Sequence, residues 1–462
     1  MQVRNTVRVL GLLILLLIGC GNSNAGMFEW VMTLDTGNSA TDIAADSQGN
    51  FYVLGRFEGT VDFNPRGHRH EVTAAAAEVY LACYGPDGRL KGVNTWGGRR
   101  GIVMGRSVTC SESQRAVYVT GYYCPDIDLD PGGSPAYWGP DDYTRHGYVA
   151  RFDLDGRLIW FRKLEGIMQG QASGELETSS LAVDDKGNVY VSGNLISGGI
   201  DFGPGSGVTL MSDNSYGVFL AKCDRDGLFQ WARFWPGGSS IEIVVDGSGN
   251  SFIAGFADTT VDLDPGEGTL IVECEDHSKR KSFLLCMDTD GSFKWGKSWD
   301  GFVFDVARSE SGDLYTAGEG DMFLRKYSAS GDLIWQMAGK EKYQGSSSQV
   351  GFWGDGNICA GGGFGGGYDP ESAQASGHNS KDGFFLSFFD PEGNCLDSVV
   401  AEGEREREGI RAIGLTGFAY DGGTGMYVVV SNNGKSFSFS PHGPTVKKGD
   451  AFIYKLNLER ME

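Results

Sequence analysis

DIAADSQGNFYVLGRFEGTVDFNPRG at residues 42–67, followed by VYLACYGPDGRLKGVNTW at 79–96, returns with variations about seven times along the chain. A unit of this kind, roughly 40 to 70 residues long and repeated so often, signals an array of like supersecondary elements. The pattern inside it is one of strands and turns. The chain has 72 Gly among 462 residues, roughly double the usual share of about 7%. Most fall at fixed offsets within the units, where they mark turns, and only 13 Pro are present, so the composition is not that of a low-complexity segment. Repeats let one closed array grow without enlarging any single core, which favours one domain over the two or three that the length alone suggests.

The unit around residue 180 shows the strand order. An alternating apolar strand at 180–184 reaches the turn Asp185-Lys186-Gly187-Asn188 and returns at 189–193; a third strand at 217–223 turns at Asp224-Arg225-Asp226-Gly227 into a fourth at 228–233. Four antiparallel strands make one blade of a β-propeller. The first turn recurs at 46–50, 246–250, 309–313 and 353–357. The second strand carries an aromatic followed three positions later by Gly in Tyr52/Gly55, Tyr118/Gly121, Tyr190/Gly193, Phe252/Gly255 and Tyr315/Gly318, with weaker echoes at Cys359/Gly362 and Tyr427. That aromatic is expected to fill the space between blades, and the Gly to relieve crowding. On the fourth strand a Trp stands four residues after the turn Gly (Trp160, Trp231, Trp295, Trp335) or eight (Trp96, Trp235, Trp299). Both offsets are even, so both sites share one face of the strand. A row of Trp suggests a cofactor stack or a sugar platform, but positions that repeat in phase with the fold point to packing.

The two ends complete each other. Gly26-Met27-Phe28-Glu29-Trp30 matches Gly291-Ser292-Phe293-Lys294-Trp295 as a fourth strand with no third strand before it, and 451–456 reads as a third strand with no fourth after it. Residues 26–34 are therefore expected to pair with 450–457 and close the ring. Counting this way gives blades at 35–96, 97–160, 161–231, 232–299, 300–339, 340–401, and 402–457 plus 26–34. The fold class is all-β, a single seven-bladed propeller with four antiparallel strands per blade. Six or eight blades are the alternatives, because unit five lacks the long connection after its second strand and units six and seven are degenerate.

The first 19 residues stand apart: Arg4 and Arg8 form a basic segment, residues 10–18 an apolar run too short to span a bilayer, and Gly19 precedes Cys20, the layout of an export signal. Leu17-Ile18-Gly19-Cys20 resembles the lipobox of bacterial lipoproteins, which implies cleavage before Cys20 and acylation of its thiol. The expected organisation is a signal peptide at 1–19, a lipidated tether at 20–25 and the propeller at 26–462. Two or more acyl chains make a durable membrane anchor. Gly21 stands where Asp is associated with inner-membrane retention, which leaves outer-membrane or surface placement open. The tether reaches roughly 20 Å when extended, so the end of the propeller at which residue 26 starts its strand, the Asp-Gly hairpin end, is expected to face the lipid.

The repeats themselves, such as AVDDKGNVYVSGNLISGGIDFGPGSG from Ala182 and VVDGSGNSFIAGFADTTVDLDPGEG from Val244, resemble the SBBP-type β-propeller repeats of exported bacterial proteins. The resemblance implies a cell-envelope, extracytoplasmic setting and brings no catalytic residues with it.

The formal charge of −21 becomes −23 when the leader takes Arg4 and Arg8 away. Such a field repels polyanions, so no nucleic-acid partner is expected, while divalent cations or basic partners are attracted. Much of the acid sits in turns, where Asp bonds nearby backbone. The end opposite the Asp-Gly hairpins collects Asp62, Asp128 with Asp130, Asp201, Asp262 with Asp264, and Asp369, each in or beside a Pro-containing turn, together with all six histidines (His68, His70, His146, His277, His378, His442). Asp62, Asp128, Asp130, Asp262 and Asp264 are the candidate Ca2+ ligands. Against them, Asp-Pro-Gly forms turns in its own right, and the Ca2+ loop with a distal Glu is absent. His68 and His70 offer two imidazoles without a third ligand nearby, and most histidines are expected to be solvated.

Apart from Cys20, eight cysteines remain. Cys83, Cys223 and Cys286 occupy equivalent positions in different blades, too far apart to pair, so buried free thiols are expected. No Ser/His/Asp set and no cofactor motif is evident, and no other cofactor is expected. The functional reading is a non-catalytic interaction scaffold or binding protein of the envelope, with surface proteins or glycans as partners. The alternatives are glycan or small-ligand binding at the rim, supported by Tyr137, Trp138 and Tyr143 and possible with Ca2+, and, third, an envelope hydrolase or dehydrogenase.

Overall fold

Seven four-stranded antiparallel sheets stand around a common axis in the computed structural model. It describes residues 28–460 except 35–39, 99–101, 125–126, 129–136, 139–143, 168–173, 204–206, 213–215, 275–279, 319–323, 338–348, 366–380, 405–412, 433–436, 441–444 and 447–450. From the innermost strand outwards, blade 1 consists of Ala40–Ala45, Phe51–Asp62, Glu71–Tyr84 and Leu90–Gly98, and blade 3 of Glu175–Val183, Val189–Ser197, Gly217–Cys223 and Phe229–Pro236. Blades 2, 4, 5 and 6 begin at Val103, Gly238, Val303 and Gln349 and repeat the plan. Blade 7 takes Ile413–Tyr420, Gly425–Asn432 and Ala451–Asn457 from the end of the chain and Phe28–Leu34 from its start. The count is seven, and the ring is closed by the N-terminal strand, as expected.

The closing strand lies antiparallel to the last one, with Trp30 opposite Lys455, Val31 opposite Tyr454 and Leu34 opposite Ala451. Phe28 lies opposite Leu456, which also pairs with Met426 just after the Asp421 turn, so this strand starts at the hairpin end. Met32 and Leu34 are buried with Phe51 and Tyr84 of blade 1 and Tyr427 and Ile453 of blade 7. Seven such apolar clusters are present among the described residues, one in each seam between neighbouring blades.

The repeated Trp explains how the seams lock. Trp160 donates its indole N–H to the Arg225 carbonyl at 3.0 Å, Trp231 to Thr289 at 3.1 Å and Trp335 to Pro391 at 3.3 Å, each in the third-to-fourth turn of the next blade. The indole lies flat against the turn Gly two residues on. A Cβ on Gly227 would come within 2.9 Å of Arg162 and 3.1 Å of Trp160, and the φ of +79° there already excludes most side chains. Trp30 makes the same contact with blade 1, bonding the Pro86 carbonyl at 3.3 Å. It thus does for the seventh seam what Trp160, Trp231 and Trp335 do for theirs. The second-strand tyrosines add a bond across the same seams, Tyr190 to the Gly249 carbonyl at 3.0 Å and Tyr427 to that of Gly49 at 2.7 Å.

The fourth strands run beyond the expected ends, to Ile167 in blade 2 and Pro236 in blade 3. The reason lies in the next unit. The connections after the second strands of blades 2, 3 and 7 fold back over the outer strand of the preceding blade: Ile127–Asp128 pairs with Gly97 and Gly98, Gly199–Asp201 with 165–167, and Phe437–Ser440 with 400–403. Elsewhere the cover is by side chains, with Arg66 5.0 Å from the Trp30 ring and Trp235 donating to the Leu263 carbonyl at 2.9 Å. Unpaired edges are blunted in this way.

Deleting residues 26–34 is expected to abolish the cooperative thermal transition, since the faces of blades 7 and 1 then lose their cover. Trp30→Ala is milder, with a loss of roughly 2 to 3 kcal/mol in denaturant unfolding; an unchanged midpoint for either variant contradicts the latch.

Candidate functional site

The acids of the connections are engaged with their own backbone. Asp62 accepts the N–H groups of Asn64 at 3.0 Å and His70 at 2.9 Å, and Asp262 accepts those of Asp264 at 3.0 Å and Leu270 at 2.7 Å. Asp264 accepts from Gly266 at 2.8 Å. Asp128 sits in a two-residue strand opposite Gly97 and Tyr137. Asp130 and Cys20 lie outside the described residues. The four described acids stand on the connections of three different blades, and among the described residues no three His, Cys, Asp or Glu side chains gather to hold an ion.

Of the histidines, His68 and His70 are exposed on the blade 1 connection. His146 departs from expectation. It opens the third strand of blade 2, fully buried, where Nδ1 accepts the Gly166 N–H at 3.0 Å and Nε2 lies 3.0 Å from Thr144 Oγ1. His277, His378 and His442, and Tyr143 with them, lie outside the described residues. Cys83, Cys223, Cys286 and Cys359 are buried free thiols, and burial pushes Cys83 up to about 11 and Cys223 up to about 12.

The cavity lies on the axis. About 370 Å³ in volume, it is lined by the first strands of all seven blades. One position recurs in every first strand, four residues before the turn acid or its substitute: Asp42, Ser107, Ser180, Glu242, Asp305, Gln349 and Gly417. Six of these line the cavity, and Ser180 donates to Glu242. In six blades this position directly follows a β-bulge, as in the shift between Ala40 and Asp42 or between Val303 and Asp305. A bulge re-aims the next side chain, here towards the axis. The Gly of the second strand faces the same irregularity: a Cβ on Gly193 would fall on the Glu177 carbonyl.

Two of the acids span blades in the same manner. Asp42 accepts the N–H of Ile43 at 2.8 Å and that of Val108 in blade 2 at 2.8 Å; Asp305 accepts those of Val306 at 2.8 Å and Val350 in blade 6 at 2.8 Å. Glu242 takes the Ser180 hydroxyl of blade 3 and the Ile243 N–H at 3.3 Å. Burial raises the Asp42 carboxyl to about 6, against the pull of its amide bonds. Burial, and then the charge of Asp42, raise Asp305 to about 7. Glu242 is pushed well above the carboxylate range by burial first and by Asp305 and Asp42 next. Arg308 is the only other charged residue of the described lining.

Asp42, Glu242 and Asp305 form no local motif because they stand on different strands, far apart in sequence. The signal is there when the units are aligned on the turn: an acid in an apolar inner strand, always four residues ahead of it.

Comparison with known proteins adds no family, since no known family and no curated protein matches the chain. Among solved structures, the chain is similar to a protein of unknown function from Bacteroides caccae at 13% identity, covering 66% of this chain and 89% of that one with a TM-score of 0.36. It is also similar to a protein of unknown function from Dyadobacter fermentans, at 12% identity over 78% of this chain and 99% of that one, TM-score 0.40. A third is virginiamycin B lyase from Staphylococcus aureus, at 9% identity over 93% and 98%, TM-score 0.42.

Asp262→Ala strands two backbone donors and is expected to cost about 1 to 3 kcal/mol. The cost should be the same in Ca2+ and in a chelator; a loss confined to Ca2+ in paired melting curves would make this acid a ligand.

Proposed function

We propose that this protein is a lipid-anchored β-propeller of the bacterial cell envelope that works as a non-catalytic interaction scaffold, its rim of connections offered to an envelope protein or a surface glycan. One observation carries the reading: the repeated polar and aromatic chemistry, Trp on turn and Asp on its own loop, is used in building the ring, while the connections differ from blade to blade in length and sequence. Variable loops on a rigid frame are where recognition sits in such folds. The resemblance of the units to SBBP-type repeats and of 17–20 to a lipobox supports the exported, anchored setting. Acylated Cys20 holds the body close to the membrane, and Gly21 in place of Asp fits placement at the outer membrane or the cell surface. The strand entered at Phe28 starts at the hairpin end, which turns that end to the lipid and the connection rim away.

A second reading, a small ligand on the axis, is favoured by the size of the axial cavity, about 370 Å³, which falls within the range of small-molecule sites.

Metabolic labelling with a fatty-acid analogue is expected to mark the wild type and not Cys20→Ser. A pull-down from native membranes is expected to return one envelope component in stoichiometric amount, and exchanging residues 127–138 for the blade 3 connection should weaken it. Label retained without Cys20, or soluble-ligand binding with no partner recovered, contradicts the scaffold reading.

A further inference from the structure

The axial cavity of about 370 Å³ has two unlike ends. Its lining runs from Asp42, Glu242 and Asp305 to Val245 and Arg308, the residues just before their turns, so it occupies the hairpin half of the axis with the acids at the inner end and Arg308 at the outer one. Two groups of this lining are left without partners among the described residues. The Ser180 hydroxyl and the Ile243 N–H both go to Oε1 of Glu242, and no donor meets its Oε2. The Arg308 guanidinium finds no acceptor, and its Nε is shut off from water as well; Asp246 acts on it by charge alone, without a contact. A half-buried guanidinium whose donors all go unused is costly unless an anion meets it. At the inner end the three carboxylates repel one another with no cation among them, and an ammonium entering there relieves that repulsion.

We propose that the axial cavity binds a small zwitterion of dipeptide size, its ammonium held among the inner carboxylates by Oε2 of Glu242 and its carboxylate by Arg308 at the outer end. This ligand class rests on the reading of the axis as a small-molecule site. Length and charge select it. Asp305 and Arg308 are three residues apart on one strand, roughly 10 Å along the backbone. The two charges of a free α-amino acid are too close together to meet both ends, whereas two extended residues span up to about 7 Å and the reach of the protein side chains covers the rest. A diamine would set a cation against Arg308, and a dicarboxylate would set an anion among the three acids.

Calorimetric titration of the full chain in detergent with alanylalanine tests this, beside N-acetyl-alanylalanine, which lacks the ammonium, alanylalanine amide, which lacks the carboxylate, and the diamine putrescine. Alanylalanine is expected to bind, the N-acetyl form about tenfold or more weakly and the amide several-fold more weakly. Glu242→Gln keeps an oxygen for Ser180 and Ile243 and should weaken alanylalanine by about tenfold. Arg308→Gln should bring alanylalanine to the level of the amide and leave the amide unchanged. Absence of alanylalanine binding, or binding that neither variant weakens, overturns the proposal. Putrescine or the amide binding as tightly as alanylalanine overturns the zwitterion and leaves a ligand site on the axis, so the two readings fail separately. The acetyl and amide comparisons use the wild-type chain and decide the matter even where a variant does not fold.

Discussion

A blade of this protein has two apolar faces, and neither has a partner until another blade stands beside it. That constraint governs the rest of the structure. In an open stack the first and last sheets would each leave one face in water; in a closed ring no face is bare, so closure is a requirement of the hydrophobic effect as much as a feature of topology. The strand Phe28–Leu34 meets the requirement by joining the last sheet, and Trp30 then docks on blade 1 by the contact found at the ordinary seams. The joint between the chain's two ends is thus built like the joints within it.

Much of this was legible in the sequence because it is written in phase. Trp at fixed distance from a turn Gly, Tyr at fixed distance from a turn Asp, and a fourth strand lacking its third are local patterns that depend only on strand periodicity. What escaped depends on contacts between units. The outer strands of blades 2 and 3 are longer than their alternation suggests because the next connection pairs with the former and packs on the latter. His146 is buried because the third strand of blade 2 begins with it and Gly166 finds its acceptor there. The acids Asp42, Glu242 and Asp305 read as ordinary polar residues in three separate strands, and only the ring brings them to one axis.

The polar chemistry divides by place. At the hairpin end, carboxylates such as Asp46 close turns by accepting the N–H groups of Gln48 and Asn50. In the connections Asp62 and Asp262 do the same for longer loops. On the axis, carboxylates bridge strands of neighbouring blades. The strongly acidic composition is thus in large part architectural. What the architecture leaves unspecified is the rim, whose connections differ from blade to blade, and it is to the rim that the scaffold reading assigns recognition.

The direct test of ring closure is a disulfide across it. Leu34 and Ala451 are register partners on the buried face of the joint, and Cα atoms of cross-strand partners stand about 4.5 to 5.5 Å apart, within the span of a disulfide. Leu34→Cys with Ala451→Cys is expected to oxidise to an intrachain bond, identified by mass spectrometry of the linked peptides, and to raise the melting temperature. A pair that stays reduced, or that links only between molecules, would contradict the closed ring.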